Sequence, residues 1–240
     1  MTNQEKHQGI IGVFGDSFAS PSVNGIDWPS ILKTKYGHRV KNYARASTSL
    51  FWSYSVFKKN INEFTDAVFV ITSPGRLYTD DENYFSIGTA AATENALKNK
   101  VYTPYCRKIY QAALDYFVYL DKEDFNFFVH EQIIQAIHQL AEQEQKNLII
   151  VPAVPHNLRF PSQFEFPLSD VTRHEMLANF EKIIINVDTD LRACHMSAEN
   201  NEVLSAKIDA VIRGQTDPVT LEGFTFPRYK KPWLYWEKRY

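Results

Sequence analysis

Ser17 and His195 are the two residues whose types and settings suit nucleophilic chemistry. Ser17 stands in Gly15-Asp16-Ser17-Phe18-Ala19-Ser20, directly after the apolar run Ile10-Ile11-Gly12-Val13-Phe14. A serine at a strand-to-turn junction has its hydroxyl raised above the sheet edge and its amide placed to donate to an oxyanion, and a preceding glycine permits the tight turn. By composition alone, about 0.08 copies of this tripeptide are expected in such a length if each residue type makes up roughly 7% of a chain. Its place after the first strand adds to that weight. A free serine hydroxyl is barely ionised at neutral pH and needs a base. His195, in Cys194-His195-Met196-Ser197-Ala198-Glu199-Asn200-Asn201, opens what reads as the last helix, where a loop can turn an imidazole toward the sheet edge.

Other histidines carry less. His156, in Val154-Pro155-His156-Asn157, follows the fourth apolar run and so also falls at the functional edge, as a substrate contact or a loop cap. His130 and His138, eight residues apart on a helical pattern, are too far apart for a metal pair and read as packing or surface residues. HExxH, Walker, GxGxxG and CxxC motifs do not occur, so neither a metal nor a cofactor is expected.

The elements that must position these residues alternate. Residues 10–14 read as a short buried strand ended by Gly15, and residues 27–36 as a helix stopped by Gly37. A partly exposed strand over 38–43 and a helix with an aromatic face over 50–62 follow. The strand 67–71 is closed by Thr72-Ser73-Pro74-Gly75. The stretch 78–103 has no clear period and reads as a long loop, of the kind used for lids and binding loops. Residues 105–120 and 123–145 are the longest helical patterns, and 148–151 is a fourth strand ended by Pro152 and Pro155. Residues 182–187 are ambiguous between strand and helix end, and 197–212 reads as a final helix with Ser197 as N-cap and Gly214 beyond its end. Strands alternating with helices predict βαβ units, a mainly parallel sheet, and ligands beyond the carboxyl ends of the strands.

Composition bounds the class. The 240 residues carry a formal net charge of −2, with 44% hydrophobic and 22% charged residues, which suits one large α/β domain. A nucleic-acid footprint needs a basic excess, so nucleic acid is disfavoured as a partner. No apolar run is long enough for a membrane-spanning helix, and the polar Met1–Gly9 segment does not read as a signal peptide. Two cysteines, Cys106 and Cys194, are too few for a disulfide framework or a thiolate zinc site. The expectation is a soluble, non-secreted protein, in the cytoplasm or assembled into a particle. The 17 Phe, 13 Tyr and 4 Trp suggest contact surfaces as well as a core.

GDSFAS at 15–20 and HMSAENN at 195–201, with the strand order between them, resemble the SGNH (GDSL-type) hydrolase family over residues 10–213. The resemblance implies a three-layer α/β/α sandwich in which Ser17 is the nucleophile and His195 the general base. It also implies amides of Ser17 and Ser47 that hold the oxyanion, Ser47 standing where the family has a glycine. Two blocks depart. The family's Asn after the third strand is missing from Thr72-Ser73-Pro74-Gly75-Arg76, leaving Thr72, Ser73 or Arg76 as replacements; Arg76 supplies a charge-assisted donor or a grip on an anionic substrate. The family's Asp three residues before the histidine is Arg192 here. Either Asp188 or Asp190 orients His195, or the site is a Ser–His dyad.

The resulting expectation is an esterase or deacylase acting on an O-acyl ester of a small molecule or a glycan. Asp16, Ser47, Ser73, Arg76 and His156 surround the catalytic Ser17, His195 and Asp190, and residues 79–103 with Phe51, Trp52 and Tyr54 shape the pocket. The alternative is a catalytically degraded binding or assembly module on the same fold. A flavodoxin-like nucleotide binder ranks last, because Gly15 stands alone. Residues 215–240 form a separate aromatic and basic tail, read as a strap across its own domain or a neighbour's, with a homo-oligomer as one outcome.

Overall fold

The structure, a computed structural model, describes residues 9–22, 25–78, 90–99, 103–154, 162–171 and 196–225. Among the described residues four segments become strands: β1 (Ile11–Phe14), β2 (Val40–Asn42), β3 (Asp66–Ile71) and β4 (Asn147–Pro152). They form one parallel sheet in the order β2-β1-β3-β4, with Ile11 in register with both Val40 and Asp66, and Phe69 with Ile150. Among the described residues six α-helices accompany them: α1 (Trp28–Tyr36), α2 (Leu50–Lys59), α3 (Ala90–Asn99), α4 (Pro104–Tyr119), α5 (Glu123–Gln143) and α6 (Ala198–Ile212).

The period-2 alternation of each strand divides the core in two. Val68 and Val70 of β3 join Ile11, Val13, Ile149 and Val151 on one face, under Trp28 and Leu32 of α1 and Leu204 and Ile208 of α6. Ala67, Phe69 and Ile71 face the other way, with Phe14 and Ile150, under Phe57 of α2 and Ile134 and Ile137 of α5. The sheet is thus sandwiched between helical layers, the α/β/α arrangement that a parallel sheet needs to bury both faces. Among the described residues no helix is long and apolar enough to cross a membrane.

One expectation is corrected. Residues 90–99, read as part of a loop for want of a clear apolar period, form α3. Alanine needs no side-chain ordering in a helix, and Ala96 and Leu97 pack against Tyr110 and Ala113 of α4, so tertiary contact supplies what the pattern lacks. Residues 79–89 and 100–102 lie outside the described residues, as does the ambiguous stretch 182–187.

The start of the tail is part of the domain. Val219 bridges to Phe164, and the buried ring of Phe224 meets Phe166 edge-on at 5.3 Å. Asn200 of α6 donates to the Thr225 carbonyl and accepts from the Thr225 amide, at 2.9 and 2.8 Å. Residues 226–240 lie outside the described residues.

Two helix ends show the same hydrogen-bond pattern with different residues. After α6, Gln215 N donates to Ala210 O and Gly214 N to Val211 O; after α5, Lys146 N donates to Ala141 O and Gln145 N to Glu142 O. Gly214 takes the left-handed conformation without penalty, whereas Gln145 adopts it at φ 53° against its own Cβ. Gln145→Gly is therefore expected to stabilise the fold by about 1 kcal/mol, read as a higher urea midpoint at unchanged slope.

At the far ends of α1 and α6, away from the functional edge, Asp209 is buried between Lys35, Tyr36 and Arg213. Burial by itself raises its carboxyl pKa, but hydrogen bonds from Lys35 and Tyr36 and the nearby Arg213 charge outweigh this and hold it below the usual range. Burial and the Asp209 carboxylate push the Tyr36 phenol up to about 12. A depressed carboxyl stabilises the fold above its unfolded value of about 3.9 and loses that contribution as pH falls through its folded value. Asp209→Asn is expected to flatten this acid limb, seen as a urea midpoint that falls less below about pH 4 than in the wild type.

Candidate active site

The strand order makes β1 the first strand laid down, with β2 on one side and β3 on the other. This is the topological switch point at which parallel sheets open a crevice. Gly15 leaves β1 there at φ 140°, and a Cβ in its place would lie 2.7 Å from Cβ of Val70 and 3.0 Å from its carbonyl oxygen. The glycine lets the turn carrying Ser17 press against β3.

Asp16 then anchors the turn. Its side chain is 0% exposed. One carboxylate oxygen accepts the Phe18 amide at 3.1 Å, and the other accepts Thr72 Oγ1 at 2.7 Å and forms an ion pair with Arg76 Nη2 at 2.9 Å. Arg76 also donates from Nη1 to the Thr48 carbonyl at 3.2 Å and from Nε to Ser73 Oγ at 3.3 Å. One guanidinium thus latches the loops that follow β1, β2 and β3. The expected role of Arg76 as oxyanion donor or anion grip meets this geometry: two of its nitrogens donate to protein acceptors and the third pairs with the Asp16 carboxylate.

Two further residues fix the turn. Trp28, at the start of α1, donates its indole N–H to the Phe18 carbonyl at 2.8 Å, and Asn42, ending β2, donates to the Ala19 carbonyl at 2.8 Å. Asn201 of α6 accepts the Trp28 amide at 3.0 Å and donates to the carbonyls of Met196 and Ser197 at 3.3 and 3.0 Å. A hydrogen-bonded path therefore runs from the Ser17 turn to Met196, the residue after His195. Met196 is buried in the same core cluster as Ala19. His195, Asp190 and His156 themselves lie outside the described residues.

Ser47, placed where the resemblance implies a glycine, has φ 64°, the left-handed conformation that glycine adopts most readily. Its loop is drawn to the first by Arg45, whose amide donates to the Gly15 carbonyl at 3.1 Å. Ser17 and Ser47 are both half-buried. The aromatics of α2 divide. Phe51 is exposed and meets the Tyr78 ring edge-on at 4.9 Å beside the end of the Arg76 loop, while Trp52 and Tyr54 are half-buried and Tyr54 packs against the core.

Sequence reasoning missed the contributions of Asn42, Asn201 and His130. His130 is buried, with Nε2 2.8 Å from the Thr72 carbonyl, so that nitrogen carries a proton and donates. It ties α5 to the loop after β3. The strand-terminal position of Asn42 was a usable signal, since asparagine favours turns by bonding the local backbone; its side chain accepts the Ala44 amide at 2.9 Å. His130 gave no such signal, because its partner is 58 residues away.

No protein-family model matches the chain, and no curated protein matches it.

Proposed function

We propose that this chain is a serine ester hydrolase of the SGNH type. Ser17 attacks an acyl carbonyl, His195 takes its proton and returns it to the leaving alcohol, and the amides of Ser17 and Ser47 receive the oxyanion. The observation that carries this reading is the path Phe18–Trp28–Asn201–Met196. It binds the chain next to His195 to the turn bearing Ser17, at the switch point of a parallel sheet. The left-handed backbone at Ser47 adds support, since it gives the second loop the shape a glycine would otherwise supply. The substrate class is an O-acyl ester of a small molecule or a glycan, with Phe51 and Tyr78 as an exposed aromatic wall.

The internal commitment of Arg76 favours a second reading, a binding module whose site has lost its donors, because the residue best placed to replace the missing Asn is spent on the latch. Exposure to a fluorophosphonate followed by intact-mass measurement separates the two. The hydrolase reading expects one adduct, absent from Ser17→Ala. An unmodified wild type that also fails to release acid from acetylated sugars overturns it.

A further inference from the structure

The turn between α4 and α5 presents an apolar surface that no described element covers. Val118 and Tyr119 end α4 and Leu120 caps it, and Phe125 and Phe128 lie in the first two turns of α5; all five side chains are exposed, Tyr119 at 74%. Residues 115–131 also carry Asp115, Asp121, Glu123, Asp124 and Glu131 against the single base Lys122. Isolated exposed apolar residues need no explanation, but five within residues 118–128 at one helix–turn–helix corner, among five acids and one base, mark an interaction site.

The complementary chemistry lies in the same chain. Residues 226–240 contain Arg228, Lys230, Lys231, Lys238 and Arg239 against the single acid Glu237, interleaved with Phe226, Tyr229, Trp233, Tyr235, Trp236 and Tyr240. Cations over phenyl and phenol rings, and Trp or Tyr buried at the centre of a contact, are the pairs that hold such surfaces together.

Geometry favours contact within one chain. Thr225 is bound to Asn200 in the first turn of α6, the end tied through Asn201 to the start of α1 and hence to the carboxyl edge of the sheet. The α4–α5 corner lies at that edge too: His130 reaches the Thr72 carbonyl after β3, and a Cβ on Gly75 would lie 3.2 Å from Asn126 Nδ2. Four strands about 4.8 Å apart, with a helical layer of about 10 Å on each face, set the span to be crossed. Fifteen extended residues reach about 50 Å, which exceeds it. A tether of this length also holds the segment at a millimolar-scale effective concentration, above that of a second copy in dilute solution.

We propose that residues 226–240 dock in cis on the acidic, aromatic α4–α5 corner. The test is limited trypsin digestion of the full-length protein, following cleavage after Arg228 and Lys230 by mass. Wild type is expected to be cut slowly, at a rate unchanged by dilution. The F125S/F128S and E123Q/D124N variants are expected to be cut about tenfold faster, the fold-change that about 1.4 kcal/mol of lost contact gives. Both pairs lie on the exposed corner, so an unchanged thermal midpoint separates release of the segment from unfolding, and either pair alone suffices. Equal rates in wild type and the folded variants overturn the proposal. Protection that disappears on dilution together with a dimer mass overturns it as well, in favour of a second copy as the occupant.

Discussion

Ser17→Ala, His195→Ala and the double variant are expected to hydrolyse an activated ester at one common residual rate, about a hundredfold below wild type. The size follows from how such residues act as a unit. In a complete triad, loss of the serine or the histidine costs about as much as loss of all three members, roughly 10⁶ in kcat, whereas loss of the aspartate alone costs on the order of 10⁴. A site without the usual aspartate, as Arg192 at that position implies, begins four decades down, so only about two remain to be lost. Asp190→Asn then tells the two site models apart. An unchanged rate means a dyad, whereas a fall of about 10⁴, with Ser17→Ala then about 10⁶ below wild type, means that Asp190 orients His195. Single variants that differ widely from each other, or a double variant much slower than either, would show that Ser17 and His195 do not act together.

The largest effect on stability is expected from Arg76→Leu, about 3 kcal/mol by urea denaturation. The substitution keeps most of the aliphatic volume and leaves the fully buried Asp16 carboxylate without its cation. Breaking a buried pair from one side is costly because the remaining charge keeps its desolvation penalty. Because the Arg76 side chain retains 19% exposure, the value sits at the low end of the range for such pairs. Adding Asp16→Asn to Arg76→Leu removes the stranded charge and is expected to return part of the loss, whereas independent sites would add. Thr72→Val removes one hydrogen bond to the same carboxylate and is expected to cost less, about 1.5–2 kcal/mol. Strict additivity of Asp16→Asn and Arg76→Leu would mean that the pair contributes nothing beyond its separate members.

Three of the strands were legible because they are short, apolar on both faces and closed by glycine or proline: residues 10–14, 67–71 and 148–151 needed no tertiary information. The helix caps were legible for a similar reason: Ser197 accepts the Asn200 amide, and Gly37 and Gly214 have positive φ, all local chemistry. Residues 90–99 were not, because their helix depends on burying Ala96 and Leu97 against α4 rather than on a pattern of their own. At the candidate site the sequence indicated the loops but not their connections. Arg76 read as a donor to a ligand, while in space it faces Asp16, 60 residues earlier along the chain, and the Thr48 carbonyl. Pairings of that separation leave no periodicity, spacing or composition to detect.

Gly15, Asp16 and Ser17 are neighbours in sequence, yet selection would see them differently. A larger residue at 15 collides with Val70, and an uncharged residue at 16 leaves Arg76 without its buried anion, so both changes are penalised whether or not the protein turns over a substrate. A lineage that abandoned catalysis would keep the first two letters for mechanical reasons, while the demand that catalysis places on the third would lapse. Among descendants of this fold, the residue at position 17 carries the historical record of activity, and the two before it record only that the sheet still closes.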